Sequence, residues 1–281
     1  MGNYAVTKSG LTLPEYLKTD KVKKSIVDVT GKNPAAFISP ILVAFSGNEQ
    51  LQKCEPSSIF SAAVFAASVN LSVDPSQGQA YLVPFKNKAT LQIGWRGYVQ
   101  LALRTGQYKK LHAGVIRKGE IRSIDPLTGE FVIGEKISEE IVGYVAHLEL
   151  VNGFSKTIYM SKAEMESHAQ TYSQSYAADK KKTWSMWAKN FNQMAIKTVL
   201  KKLLKNWGIL SSEMQTAIQA DQSVIDQDSF TYVDNGGHSV SREIIDVPSD
   251  ENSEPEFVNN ETGEILFAEE NSTDTEISAP F

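Results

Sequence analysis

The sequence contains a single cysteine, Cys54, and only four histidines. One thiol cannot close an intrachain disulfide or build a cysteine-rich zinc site, and such sparing use is typical of a reducing compartment. The histidines are scattered without metal-ligand spacing, so we expect no metal and no other cofactor. They are His112, His147, His168 and His238.

Several catalytic and membrane patterns are also missing. No Gly-x-x-x-x-Gly-Lys-Ser/Thr loop occurs, which argues against ATP-driven strand exchange. There is no nucleophile elbow and no carboxylate cluster of a metal-dependent nuclease, so we predict a binding protein and not an enzyme. No apolar run approaches the ~20 residues that span a bilayer. Because no signal-peptide pattern opens the chain, we expect a cytoplasmic protein without membrane contact.

Charge is distributed unevenly along the 281 residues. The net charge of −5, taken alone, argues against a nucleic-acid partner. However, residues 1–205 carry 27 Lys/Arg and 16 Asp/Glu, whereas residues 206–281 carry one Arg and 17 Asp/Glu. The sequence therefore predicts a basic body over residues 1–210 and an acidic region over residues 211–281. The acidic region is too poor in apolar residues to fold alone, so we expect it to be largely disordered.

Cations and aromatic rings alternate in one part of the basic body. Between Pro75 and Arg122 there are nine Lys/Arg and one acid, Glu120. The same stretch holds Tyr81, Phe85, Trp95, Tyr98 and Tyr108. This mixture suits a polyanion whose phosphates meet the cations and whose bases stack on the rings. A strand–turn–helix unit with a solvated basic surface explains the pattern equally well.

Periodicity and turn residues predict a mixed α and β chain. Helices are expected over 13–29, 34–45, 56–71, between Gly94 and Gly106, from Ser161 onward, from 183 or 184 to 208, and over 211–220. Strands are expected over 79–85, 89–93, 109–118, 122–133, 143–151 and 154–160. Asn152-Gly153 predicts a type I′ hairpin turn, and the polar stretch 171–183 predicts an exposed, mobile loop.

The apolar stripe of the last long helix changes face along its length. The face expected to meet the core carries Ile196, Val199, Leu200, Leu203 and Trp207, and nearly the opposite face carries Lys197, Lys201 and Lys205. On that lysine side, a turn or more earlier, lie Trp187, Phe191 and Met194. Either the helix kinks or its first half is buried from a second direction. The core, a neighbouring subunit and DNA are the alternative covers, and core burial is favoured for the aromatic residues.

Two blocks of sequence carry a family resemblance. The first comprises GQAYLVPF at Gly78–Phe85 and GWRGY at Gly94–Tyr98. The second is WAKNFNQMAIKTVLKKLLKNWG at Trp187–Gly208. In order and distance they resemble the RecT/Redβ family of phage single-strand annealing proteins. The resemblance implies an α+β core, a curved antiparallel sheet with packed helices. It also implies a phage- or prophage-encoded protein in the bacterial cytoplasm.

The function implied by the resemblance is ATP-independent annealing in homologous recombination. Family members coat single-stranded DNA as rings or helical filaments and hold the annealed duplex intermediate in a basic groove. Candidate DNA-binding residues are Lys86, Lys88, Trp95, Arg96, Tyr98, Arg104, Lys109, Lys110, Arg117, Lys118, Lys197, Lys201, Lys202 and Lys205. One alternative is a protective single-strand binder without annealing activity. Another is an assembly protein whose basic face meets RNA or an acidic partner.

Three interpretations of the acidic region remain open. It is a solubilising end, an internal mimic of DNA that competes for the groove, or a partner-docking arm. The resemblance implies a phage exonuclease and host single-stranded-DNA-binding or replication proteins as partners of such an arm. The final Pro280-Phe281 resembles the carboxyl tip of bacterial single-stranded-DNA-binding protein. We therefore hypothesise that Phe281 competes for the partners of that tip.

Overall fold

The computed structural model describes residue 5 and residues 10–30, 34–226, 229–232 and 239–241. The described residues all belong to one compact unit, which falls within Met1–Arg242. The predictions for the acidic region beyond residue 241, including those for Pro280 and Phe281, lie outside the described residues. The predicted boundary at residue 210 stays a prediction, although the described residues just beyond it pack on the core.

The described residues contain both helices and strands. The helices are α1 (Leu13–Tyr16), α2 (Asp20–Thr30), α3 (Pro34–Ser46), α4 (Pro56–Ser68), α5 (Trp95–Arg104), α6 (Lys162–Tyr172), α7 (Gln174–Ala178), α8 (Met186–Lys189), α9 (Phe191–Trp207) and α10 (Ser212–Ala220), with a 3₁₀ turn at Leu51–Lys53. The strands are β1 (Ala80–Phe85), β2 (Lys88–Ile93), β3 (Tyr108–Arg117), β4 (Ile121–Ile124), β5 (Phe131–Ile133), β6 (Ile141–Leu150), β7 (Ser155–Ser161), β8 (Ser223–Asp226), β9 (Ser229–Tyr232) and β10 (Ser239–Ser241).

All strand pairs in the described residues are antiparallel. One sheet has the order β1-β2-β8-β9-β10, a second has β3-β6-β7, and β4 and β5 form a separate hairpin. Helix α4 packs against β2 and β8, while α9 packs against β3, β6 and β7. The predicted α+β class with antiparallel sheets is therefore confirmed.

Helix α4 lies at the centre of the core, as its uninterrupted apolar sequence predicts. Ile59, Ala62 and Ala66 are fully buried. Cys54, just before the helix, is also buried, and burial raises the pKa of its thiol to about 11. A thiol that stays protonated at neutral pH is a packing residue.

Two predicted helices are each interrupted. The segment predicted as one helix over 13–29 is α1 followed by α2. The long C-terminal helix is α8 followed by α9, because Asn190, with φ −134° and ψ 46°, leaves the helical conformation between them. The break turns Trp187 and Met194 into the core, where both are buried, and Phe191 packs edge-on against Trp187. The kink and core burial, two of the alternatives left open, are thus both confirmed.

Two turn predictions are wrong in part. The stretch 171–183 is not one loop, because α6 extends to Tyr172, α7 follows it, and Tyr176 and Asp179 are buried. Most of its other residues are exposed as predicted, among them Lys180, Lys181 and Lys182. The β6–β7 hairpin forms, but its turn is not type I′, which requires positive φ at both central residues. Gly153 has φ +89°, whereas Asn152 is absent from the positive-φ residues. Gly153 N–H donates to Leu150 O at 3.0 Å, which closes a wider turn.

The two glycines of the GWRG sequence allow α5 to approach the segment that precedes β1. A Cβ built on Gly97 would lie 2.2 Å from Gln79 O and 2.9 Å from Ile93 Cγ2. A Cβ on Gly94 would lie 2.2 Å from Gly78 O. Both obstructing oxygens are backbone atoms, so the clash cannot be relieved by a side-chain rotation. Close packing of backbone on backbone therefore explains these glycines.

We expect Gly97→Ala to lower the free energy of unfolding by about 1–3 kcal/mol, because α5 must move away from Gln79. Urea unfolding checks this value. Gly47→Ala is the control, since a Cβ there meets only Val43 O at an ordinary 3.4 Å. Equal stability of the two variants would contradict the close-approach explanation.

Candidate nucleic-acid interface

Three adjoining clefts form one continuous depression, which we call the lysine groove. The β1–β2 hairpin and the start of α5 form one side, and α6 to α9 form the other. The clefts have volumes of about 530, 480 and 420 Å³ and all share Met194 in their lining. The predicted residues that line them are Lys86, Trp95, Arg96, Lys197, Lys201, Lys202 and Lys205. The structure thus brings together residues from three separate parts of the sequence.

Helix α9 supplies one wall of the lysine groove. Lys197, Lys201 and Lys205 follow one another at intervals of four residues, which places them on one face of the helix. Lys202 stands beside them and, like Lys205, is exposed. The expectation that this face lies opposite the core is wrong at Lys197, which is buried. The exposed cations of this wall are therefore concentrated in its last turns.

A buried carboxylate, Asp221, forms the floor of the groove beneath α9. Lys197 Nζ donates to its Oδ1 at 3.0 Å and Lys201 Nζ to its Oδ2 at 2.7 Å. Tyr98 OH donates to Oδ2 at 2.7 Å and Ile93 N–H to Oδ1 at 2.9 Å. Asp221 therefore ties α9 to α5 and β2, although it lies beyond the predicted core.

The charges around Asp221 decide its ionisation. Burial alone would raise the pKa of this carboxyl, but the ammonium groups of Lys197 and Lys201 and the hydrogen bond from Tyr98 hold it well below its usual range. Burial and the Asp221 charge raise the pKa of Tyr98. At neutral pH Asp221 is thus ionised and compensates the charge of the two inner lysines.

Tyr98, predicted as a possible stacking residue, is fully buried. Its ring lies beneath Lys201, whose Nζ is 6.0 Å from the ring centroid. The ring therefore offers no exposed face to a base in this structure. Lys88, at the start of β2, is half-buried and does not line the three clefts.

Trp95 and Arg96 line the third cleft of the groove, on the first turn of α5. Trp95 Nε1–H donates to Gln193 Oε1 on α9 at 2.8 Å, which links the two sides of the groove. The Arg96 guanidinium lies 5.5 Å from the centre of the Trp95 ring. Arg96 is exposed, so its donors are available to a ligand while the indole holds the side chain in place.

Three exposed rings in the groove were missed by the sequence analysis. Tyr81, Tyr172 and Trp184 each line one of the clefts, and Trp184 is 54% exposed. Tyr81 was noted only as part of an aromatic stretch, and Trp184 and Tyr172 were placed at or near a loop. What marks these three rings is that they are exposed beside the lysines. The sequence does not show this, because the rings and the lysines come together only in the folded structure.

Asp179 positions Trp184. Its carboxylate accepts hydrogen bonds from the backbone N–H groups of Thr183 at 3.0 Å, Trp184 at 2.8 Å and Ser185 at 2.9 Å. Burial alone would raise its pKa, but these three donors lower it to about 2. The carboxylate is therefore ionised at neutral pH and orders the segment that presents the indole.

Besides Lys88, five predicted cations lie outside the lysine groove. Arg104 donates to the backbone oxygens of Val69 and Asn70 at 2.9 and 2.5 Å and so joins α5 to the end of α4. The other four form ion pairs: Lys109–Glu149, Lys110–Glu149, Arg117–Glu139 and Lys118–Glu140. The structure does not bring these five residues to the groove, and their contact with DNA stays an untested prediction.

Neither a membrane span nor a metal cluster is found in the part of the chain that the structure describes. None of its helices combines the length and apolar content needed to cross a bilayer. No group of three or more His, Cys, Asp or Glu side chains is arranged there to hold a metal ion.

An α+β core with a groove that combines cations and exposed aromatic rings has the geometry of a polyanion-binding protein. The comparison with known proteins then gives the family. The model of the RecT family matches residues 35–233, and the chain belongs to that family.

Two similar proteins are consistent with this assignment. The chain is 38% identical over 246 residues to an uncharacterized protein, YqaK, of Bacillus subtilis (strain 168). The aligned region covers 87% of this chain and 82% of the relative. It is 30% identical over 183 residues to protein RecT of Escherichia coli (strain K12), which covers 61% of this chain and 65% of that relative. Membership of the RecT family supports a general role in single-strand annealing and recombination.

Proposed function

We propose that this protein binds single-stranded DNA along the lysine groove and anneals complementary strands without ATP or another cofactor. The observation that carries the proposal is the juxtaposition of exposed cations with exposed rings in one continuous depression. Lys202 and Lys205 in the first cleft, Lys86 in the second and Arg96 in the third supply charge to phosphates. Between and beside them, the three exposed rings supply faces on which bases stack.

The proposed mechanism needs no covalent step. Two DNA strands repel each other, and a row of protein cations lowers that repulsion when the strands are brought together. Base pairing supplies all sequence specificity, while the protein contacts backbone and ring faces. One groove covers only a few nucleotides, so we propose that several copies act together as a ring or helical filament on DNA.

The acidic region completes the proposal. We propose that it docks partners, a phage exonuclease and host single-stranded-DNA-binding or replication proteins, and that Pro280 and Phe281 supply its recognition tip. Deletion of these two residues should weaken such docking and leave DNA binding unchanged. Retention of full partner binding by the shortened chain would remove the tip from the proposal.

Trp184→Ala tests base stacking in the groove. We expect the affinity for single-stranded DNA to fall by about 1–3 kcal/mol, the contribution of one stacked base, with little change in its salt dependence. Fluorescence anisotropy of a labelled oligonucleotide measures both quantities. Trp207→Ala is the matched control, because Trp207 is 46% exposed but stacks on Phe154 and lies outside the groove. Equal losses in the two variants would contradict stacking at Trp184.

The second candidate function, a protective coat that does not anneal, uses the same groove. The two proposals differ in what happens after binding: an annealer accelerates pairing of complementary strands, whereas a coat slows it. Binding measurements alone therefore do not separate them, and an annealing measurement does.

A further inference from the structure

The β4–β5 hairpin carries exposed apolar side chains and does not line the lysine groove. Leu127 is 94% exposed, Ile133 is 76% exposed and Ile137, just after β5, is 75% exposed. Such residues scattered singly on a surface are ordinary, but here they occupy one short hairpin and its flank. The hairpin packs against no other described helix or strand extensively. Within the described part of the monomer these side chains therefore lack an apolar cover.

The hairpin is built to hold its tip in place. Asp125 Oδ1 accepts hydrogen bonds from the backbone N–H groups of Leu127 at 2.8 Å and Thr128 at 3.2 Å. Gly129 N–H donates to Asp125 O at 2.8 Å and closes the turn. Leu127 is thus presented on an ordered turn, where little conformational freedom is lost on docking.

A second uncovered apolar surface lies on helix α3. This helix contains no charged residue from Pro34 to Ser46, although only one of its faces is buried. Its outer face and Pro14 enclose a shallow apolar cleft of about 640 Å³, and Val43 at its edge is 51% exposed. The cleft is lined chiefly by Pro14, Ala35, Ile38, Leu42, Val43 and Phe45. A helix that is apolar all round is expected to be covered on both sides.

The two surfaces are complementary in charge. Residues 119–140, which form the hairpin arm, carry six Asp/Glu and two Lys/Arg, and two of these acids, Glu139 and Glu140, pair with Arg117 and Lys118 at the base of the arm. The four other acids still outnumber the two cations. Residues 14–24, which begin at Pro14 in the lining of the cleft, carry four exposed lysines and two acids, Glu15 and Asp20. An arm with net negative charge and an apolar tip therefore suits an apolar cleft next to a segment of net positive charge.

We propose that the hairpin arm of one copy docks into the α3 cleft of the next copy. The contact joins two different surfaces, so it is head-to-tail, and its repetition generates a ring or an open helical filament. This docking proposal rests on one part of the proposed function, the self-association of the protein. It adds the two surfaces through which the copies bind each other.

Two classes of variant separate the partners of this contact. Leu127→Ser with Ile133→Ser damages the arm, and Val43→Glu damages the cleft; all three residues are exposed, so each variant is expected to fold. Analytical ultracentrifugation should show wild-type multimers and two monomeric variants. Leu103→Ser with Val151→Ser, two exposed apolar residues elsewhere, should leave multimers unchanged.

Mixing the two monomeric variants gives the decisive result. Each retains one intact surface, so the mixture should form a 1:1 dimer and no larger species. A mixture that stays monomeric overturns the head-to-tail contact, as do variants that keep the wild-type size. A wild-type protein that is monomeric both with and without DNA overturns it as well.

The experiment also separates this proposal from the proposed function. Both variants should bind an oligonucleotide of about eight nucleotides as wild type does, because the lysine groove is unchanged, yet lose most annealing of long strands. Multimers without DNA affinity would overturn the proposed function alone. If the protein binds DNA but both variants form multimers of wild-type size, only the docking proposal is overturned.

Discussion

Asp221→Asn is expected to lower the free energy of unfolding by about 3–5 kcal/mol, because it removes the buried carboxylate charge that pairs with the ammonium groups of Lys197 and Lys201. The asparagine side chain also cannot accept all four hydrogen bonds that Asp221 receives. Thermal or urea unfolding measures the loss. Asp20→Asn is the control, since that carboxylate is fully exposed.

The pH dependence of the same variant gives an independent check. The pKa of Asp221 is lowered on folding, so its stabilising contribution is present above its unfolded pKa of about 3.9 and is lost as pH falls below that value. The stability difference between wild type and Asp221→Asn should therefore be constant near neutrality and shrink under acid conditions. A difference that grows as pH falls would contradict the ionised network.

Lys202→Gln with Lys205→Gln is expected to reduce the salt dependence of single-stranded DNA binding. Loss of two phosphate contacts makes the slope of log K against log salt shallower by about 1.4, which corresponds to roughly 70-fold in affinity at ~50 mM salt relative to ~1 M salt. These two lysines are chosen because they are exposed in the groove, whereas Lys197 and Lys201 are bound to Asp221. Anisotropy titrations over a salt series measure the slope.

The matched control for this variant is Lys53→Gln with Lys162→Gln. Both lysines are exposed, and neither lines the three clefts. The control removes the same net charge from the protein and should change the slope little. If both double variants reduce the slope equally, affinity depends on overall charge and not on the groove.

Local features of the fold were predictable because their causes are local. The predicted strands over 79–85 and 89–93 form the β1–β2 hairpin, and α6 follows Ser161 as predicted, where a capping box with Glu164 begins the helix. The two sequence blocks of the family resemblance contain the GWRG sequence at the start of α5 and the whole of α9. Neighbouring residues along the chain determine each of these elements.

The chemistry of the groove depends on contacts between distant residues, which periodicity does not reveal. Lys197 was predicted on an exposed face, yet it reaches Asp221 because β8 pairs with β2 and carries the preceding acid beneath α9. Likewise, the cations Arg117 and Lys118 meet Glu139 and Glu140 across the base of the hairpin arm. A count of charges along the sequence cannot distinguish paired cations from those that face solvent.

The central claim is that the lysine groove anneals DNA, and the rate of pairing between two complementary labelled oligonucleotides tests it most directly. The strands are added in turn to the purified full chain without nucleotide, over a salt series. The account predicts strong acceleration that falls steeply with salt and is reduced in Lys202→Gln with Lys205→Gln. Tight binding of each strand with pairing slower than in protein-free solution would contradict it.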